Sequence, residues 1–136
     1  MARNTIFSNI QSAGYLTKRT NVATITTAGA VTYSAAQVAG GLILRDPNGA
    51  GRTDIFPTAA NLFAEIGPSL RSTGMSFEFT VRNTADAAET ITLGGTPAGV
   101  TYSGTMTIAQ NNTKTFLVVF TSPAACTVYS VGTFVH

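Results

Sequence analysis

Met75-Ser-Phe-Glu-Phe-Thr-Val-Arg82 sends Phe77, Phe79 and Val81 to one side and Ser76, Glu78, Thr80 and Arg82 to the other. A period of two marks a half-buried β-strand, because successive side chains of an extended chain point to opposite faces. The chain downstream continues in this style. Asn83 to Ala88 reads as a hairpin loop and Glu89 to Leu93 as the returning strand, with Ile91 and Leu93 inward. Gly94 to Gly99 is a second loop. Val100–Ser103 and Thr105–Ile108 flank Gly104, where a glycine inside β sequence signals a bend or bulge. Gln110-Asn111-Asn112 is a third turn. Lys114 to Thr121, with Phe116-Leu-Val-Val-Phe120 at its heart, is apolar enough to predict a central strand covered on both faces. Thr127 to Val135 closes the pattern, and Phe77, Phe79, Val81, Ile91, Leu117 and Val119 are its expected core.

Upstream the same reading holds with one interruption. Val22 to Thr27 is a strand, Ala28-Gly29 a turn, Ala30 to Ser34 a return to β character, and Ala35 to Gly40 a corner of small residues. Leu42-Ile-Leu44 is a short buried strand ending at Arg45-Asp46. Pro47-Asn48-Gly49 is a strong turn signal, since Pro presets φ and Asn-Gly tolerates positive φ. The interruption is a helix over about 58–66. Thr58 is placed to cap it, Leu62 and Ile66 lie one turn apart, and Gly67-Pro68 ends it. Strands recurring roughly every 8–12 residues with turn signals between them define a sandwich or barrel. The expected fold is therefore all-β: an antiparallel β-sandwich or jelly-roll-like barrel with one short helix. An extended N-terminal arm, residues 1–20, precedes a single domain, residues 21–136.

Composition says how such a domain meets its surroundings. Charged residues make up only 10% of the chain, against about 25% in a typical soluble domain. Thr, Ser, Asn and Gly must then supply the polar surface, and a surface of that kind loses little when another protein covers it. Net charge is +2, too weak to argue for nucleic acid. Its distribution is uneven, because Arg3, Lys18, Arg19 and Arg45 all precede the first acid, Asp46. The arm carries Ile6, Phe7 and Ile10 as apolar anchors without a period of its own. It lacks the Arg/Lys run and interleaved aromatics of a single-strand binder, so its expected partner is protein. Such a segment offsets the entropy of ordering only by docking on a surface, either a neighbour or the edge of its own sheet.

The inventory for chemistry is thin. The one histidine is His136, and the one cysteine, Cys126, sits in a β-like run where it reads as a small buried hydrophobe. No Cys/His cluster offers a zinc site and no Lys-Ser/Thr follows a glycine pair, so neither metal nor phosphate-binding cofactor is expected, and no enzyme activity. Asp86 and Glu89 read as solvated loop charges. In Arg45-Asp-Pro-Asn-Gly-Ala-Gly-Arg52-Thr-Asp54, two Arg-Asp pairs brace the ends of a loop or meet a neighbouring subunit. No apolar run of about 18 residues is present to span a membrane, and Met1 to Tyr15 has no continuous apolar core of a secretion signal, so synthesis and use in a cytoplasm are expected.

The stretch from Val31 to Ile66, with Val31-Thr-Tyr-Ser-Ala-Ala-Gln-Val-Ala-Gly-Gly-Leu-Ile-Leu-Arg-Asp-Pro-Asn-Gly49 and Arg52-Thr-Asp-Ile-Phe-Pro-Thr-Ala59 in it, resembles small virion proteins of tailed bacteriophages. Phe77-Glu-Phe-Thr-Val-Arg-Asn-Thr-Ala85 to Ile91, and Ser103-Gly-Thr-Met-Thr-Ile-Ala-Gln-Asn-Asn112 to Phe120, are similar to the same group. The resemblance implies a capsid decoration (cement) protein on the outer surface of the virion. It further implies the major capsid protein as partner, a homotrimer over subunit junctions, and no cofactor, nucleic acid, membrane or small-molecule substrate. The residues expected to meet that partner are Arg3, Ile6, Phe7, Ile10, Lys18, Arg19, Arg45 and Arg52. The competing reading is a fibre, spike or tail-associated β domain whose loops at Asn83–Glu89 and Gly94–Gly99 bind a host glycan or receptor. The absence of Trp weakens sugar stacking.

Overall fold

A computed structural model describes residues 21–66 and 72–136. The arm, with Arg3, Ile6, Phe7, Ile10, Lys18 and Arg19, lies outside the described residues. The chain runs β1 (Asn21–Ile25), α1 (Ala35–Ala39), β2 (Gly41–Arg45), β3 (Arg52–Ile55), α2 (Ala59–Glu65), β4 (Ser76–Asn83), β5 (Ile91–Gly94), β6 (Val100–Ser103), β7 (Thr107–Ile108), β8 (Asn112–Ser122) and β9 (Ala125–Val135). A six-stranded sheet has the order β1-β2-β4-β8-β9-β6, and a three-stranded sheet the order β3-β5-β7.

The fold is mostly β, but its sheets are mixed rather than antiparallel. β1 pairs β2, β2 pairs β4, β3 pairs β5 and β6 pairs β9 in parallel. Only β4–β8, β5–β7 and β8–β9 are antiparallel. The reason for the first parallel pair is the small-residue corner. A parallel neighbour needs a crossover of about a dozen residues or more, and Thr26 to Gly40 supplies one by folding Ala35–Ala39 into a helix. Ser34 accepts from Gln37 N at 3.1 Å while the Gln37 side chain accepts from Ser34 N at 2.9 Å. This reciprocal capping box satisfies two helix-end donors at once. Ala30 to Ser34 is consequently not a strand; it makes a single bridge, Thr32 to Ile55. The second helix falls where expected, with the Thr58 hydroxyl accepting from Asn61 N at 3.2 Å.

Asn83 to Ala88 does not turn β4 back on itself. It carries the chain from the large sheet to the small one, where β5 lies beside β3 and β7. Asn83 directs the crossing. It is wholly buried, its amide donates to Glu89 O at 2.8 Å and Ile108 O at 3.0 Å, and its oxygen accepts from Ala85 N at 3.0 Å.

Both sheets feed one core: Ile43, Phe79, Val81, Phe116, Val118, Phe120 and Val128 from the large sheet, Ile91, Leu93 and Ile108 from the small one, with Val38 and Leu62 from the helices. Phe79 stacks on Phe116 with centroids 5.1 Å apart and meets Phe56 at 5.6 Å. β8 does sit centrally, between β4 and β9. Its core face, however, is Lys114, Phe116, Val118 and Phe120, while Leu117 and Val119 are half-buried on the opposite face. The register accounts for this. Phe116 lies opposite Phe79, and Leu117 opposite Glu78, so a one-residue change of parity exchanges the faces. Phe77 is also only half-buried.

Truncating Phe79 to alanine should lower stability by about 3–5 kcal/mol, the cost of a large cavity in a closed core. Leu117→Ala, on the half-buried face, should cost well under half as much. Urea unfolding of the two variants checks this order, and equal losses would reject the face assignment.

Candidate functional site

β2 ends at Arg45 and β3 carries Asp54, so the two sheets bring these side chains together across the Pro47-Asn48-Gly49 turn. Asn48 and Gly49 take φ of 52° and 109° there, the left-handed geometry that Asn and Gly adopt most readily. Both Arg45 and Asp54 are 0% exposed. Arg45 Nε donates to Asp54 Oδ2 at 2.7 Å, and Nη2 reaches Oδ1 at 3.3 Å, a forked pair. The remaining guanidinium hydrogens go to the carbonyls of Thr27, Asp46 and Gly29. All five N–H donors that an arginine owns are thereby used. Asp54 is equally engaged, accepting also from Val31 N at 3.1 Å and the Tyr33 hydroxyl at 2.8 Å. Burial, and next the Asp54 carboxylate, push the Tyr33 hydroxyl far above its usual range, with the Arg45 charge acting the other way. Arg45 therefore braces the loop from inside, and none of it is exposed to meet a neighbour.

Three more polar side chains line this interior. Lys114 projects from the core face of β8, 4% exposed, and Nζ donates to Thr105 O at 2.6 Å and Thr107 O at 2.9 Å. Among the described residues the one ion pair is Arg45–Asp54, so Lys114 has no carboxylate partner, and burial lowers its pKa. Glu89 is not a solvated loop charge: it is 6% exposed, with Oε1 accepting from Gly49 N at 2.7 Å and Oε2 without a partner. Arg52 is half-buried, and its Nε is buried without a partner. Asp86 is exposed as expected. Cys126 is buried and free, its thiol pushed up to about 11 by that burial. The expectation of a small buried hydrophobe holds.

An open groove lies beside α1 and α2, lined by Tyr33, Phe56, Pro57, Ile55, Ala64 and Pro97 among others. Besides Tyr33, the polar side chains along it are Thr32, Ser34, Thr58, Asn61 and Glu65, and no His, Cys or Lys is among its lining residues. Among the described residues no group of three or more His, Cys, Asp or Glu side chains could hold a metal ion. His136 is not among the groove's lining residues and is exposed beside Thr113, with Nε2 2.7 Å from Oγ1. The structure thus brings Arg45 together with Asp54 and Tyr33 and leaves Arg52 apart from them. The buried Lys114–Asn83–Glu89 neighbourhood carried one sequence signal, a lysine at the start of an apolar run where a surface charge would be out of phase. No known protein family, curated protein or solved structure matches the chain.

Asp54→Asn should destabilise the fold by about 3–5 kcal/mol, because it leaves the Arg45 charge buried without its counter-ion. Arg45→Met combined with Asp54→Leu should recover much of that loss, and chemical denaturation of the single and double variants measures it. Lys114 adds a pH effect. Burial holds its folded-state pKa below the usual lysine value of 10.5. The unfolded chain therefore holds the proton more tightly, and Lys114 contributes increasing stability as pH rises from the lowered value towards 10.5. Tyr33, raised in the folded state, works oppositely above the usual tyrosine value of 10.0. The difference in stability between the parent and Lys114→Met across this alkaline window isolates the lysine, and a flat difference would refute its burial as a charge.

Proposed function

We propose that the protein is a structural component of a tailed-phage virion. In this reading it is a decoration or cement protein that binds the outer capsid surface and stabilises junctions between subunits of the major capsid protein. The observation that carries the reading is where the few charges lie. Arg45, Asp54, Glu89 and Lys114 are buried. Among the described residues this leaves Asp46, Arg52, Glu65, Glu78, Arg82 and Asp86 to charge the surface. The rest of the polar exterior is Thr, Ser, Asn and Gln, which another protein covers without stripping water from ions. The sequence resemblance to small phage virion proteins points the same way. We read the two sheets as the layers of a β-sandwich, a reading supported by the core that both supply, and the assembly unit as a homotrimer.

Counting copies in purified particles by quantitative mass spectrometry tests the placement. A number matching the capsid lattice supports a cement protein; a few copies per particle would reject it in favour of a fibre or spike domain. The arm supplies a second prediction. A chain lacking Met1 to Ser12 should fold with unchanged circular dichroism yet bind undecorated capsid shells poorly. Normal binding by that chain would remove the arm from the interface.

A further inference from the structure

Of the six exposed large apolar side chains among the described residues, four lie on one strand, the others being Val22 on β1 and Ile55 on β3. In β9, Tyr129 is 41%, Val131 56%, Phe134 66% and Val135 79% exposed. One edge of β9 pairs with β8 along its length, from Ala125 opposite Ser122 to Val135 opposite Asn112. The other edge pairs with β6 only from Cys126 to Tyr129. Past that point Gly104 lies against Ser130, and beyond Ser130 the edge has no neighbouring strand among the described residues.

This edge is not a frayed end. Gly132 to Val135 continue in regular register with Thr115 to Asn112, and His136 N donates to Asn111 O at 2.9 Å, which holds the strand to its last residue. Natural sheets guard such edges with charge, proline or a bulge. Tyr129-Ser-Val-Gly-Thr-Phe-Val135 has neither charge nor proline. The bulge falls at Val131, the start of the free edge, and leaves Gly132–Val135 regular behind it. Gly132 directly follows the bulge, and apart from its chain neighbours nothing among the described residues comes within 4 Å of where its Cβ would stand, so that side of the strand is open.

We propose that the free edge of β9, Val131–Val135, pairs antiparallel with the same edge of a second copy of this chain about a two-fold axis. Unpaired backbone N–H and C=O groups in a fixed row select a strand as the occupant. The absence of charge selects a like copy, since two such edges meet without repulsion, and an antiparallel two-fold is the one arrangement that satisfies both edges identically. Phe134 and Val135 then lose their contact with water across the seam. This pairing is independent of where in a particle the protein acts.

Sedimentation velocity of the full chain over a wide concentration range tests the proposal. The parent should associate reversibly in a step that doubles the mass of its unit, monomer or trimer, and Val131→Lys/Phe134→Lys should weaken that doubling by at least about tenfold, because it crowds like charges across the seam. Unchanged thermal unfolding of the variant at high dilution shows that its fold is intact. Single cysteines at 131, 133 and 135 add a geometric readout: antiparallel pairing about one axis predicts efficient disulfide cross-linking at one of these positions and a fall on either side. A parent that stays monomeric, a dimer indifferent to the two lysines, or a trimer without β9 cross-links would each overturn the proposal. Binding to undecorated capsid shells, measured separately, bears on the proposed function and leaves the pairing unaffected.

Discussion

Arg45 ends a β-strand inside the protein, and no water is available there to solvate its charge. Its guanidinium can be buried only if every hydrogen finds an acceptor, and that requirement organises one end of the molecule. Asp54 must come across from the small sheet to supply two acceptors. The carbonyls of Thr27, Gly29 and Asp46 must turn inward to supply the others. Two loops thus take their shape from one side chain. Gly29 adopts a φ of 97° in one, and Asn48 and Gly49 are left-handed in the other. Tyr33 and Val31 complete the set by donating to Asp54, which fixes the segment entering α1. A hydrophobic pair of similar volume would fill the space, but would leave those loops with no reason to converge.

The elements themselves were legible because their signals are local. β4, the Thr58-capped helix, the Pro47-Asn48-Gly49 turn and the central place of β8 all follow from periodicity and turn chemistry. Pairing was not legible, because a parallel and an antiparallel neighbour ask for the same alternating strand. The parallel entry of β1 beside β2 rests on α1, whose signal, Ser34 and Gln37 three residues apart, was present but short. The β8 faces were hidden by composition: Phe116-Leu-Val-Val-Phe120 is apolar on both parities, and Lys114 and Asn83 were the tie-breakers. Both are polar residues on the buried face, where charge is least expected.

That choice of face explains how so polar an interior is stable. Asn83 and Lys114 satisfy backbone groups of the crossing from β4 to β5 and of the turn into β7, and Glu89 reaches back to Gly49 N in the turn between β2 and β3. Buried polar groups with partners cost little, while orphaned ones cost a kilocalorie or more each. The two orphans among the described residues, Arg52 Nε and Glu89 Oε2, are one donor and one acceptor. Among the described residues, Arg45, Asp54, Glu89 and Lys114, two charges of each sign, thus shape the loops from inside.

Lys114 also changes how the protein behaves as a reagent. The sequence holds one other lysine, Lys18. An amine-directed acylating label meets Lys114 with its nitrogen tied to two carbonyls and shielded by the core. It reacts there only when the Thr105–Thr107 turn lifts from the end of β8. The rate at which Lys114 becomes modified in the native protein is therefore a clock for that opening, read by mass on a single peptide. The same shielding keeps a dye or cargo coupled through amines under native conditions off the end of β8.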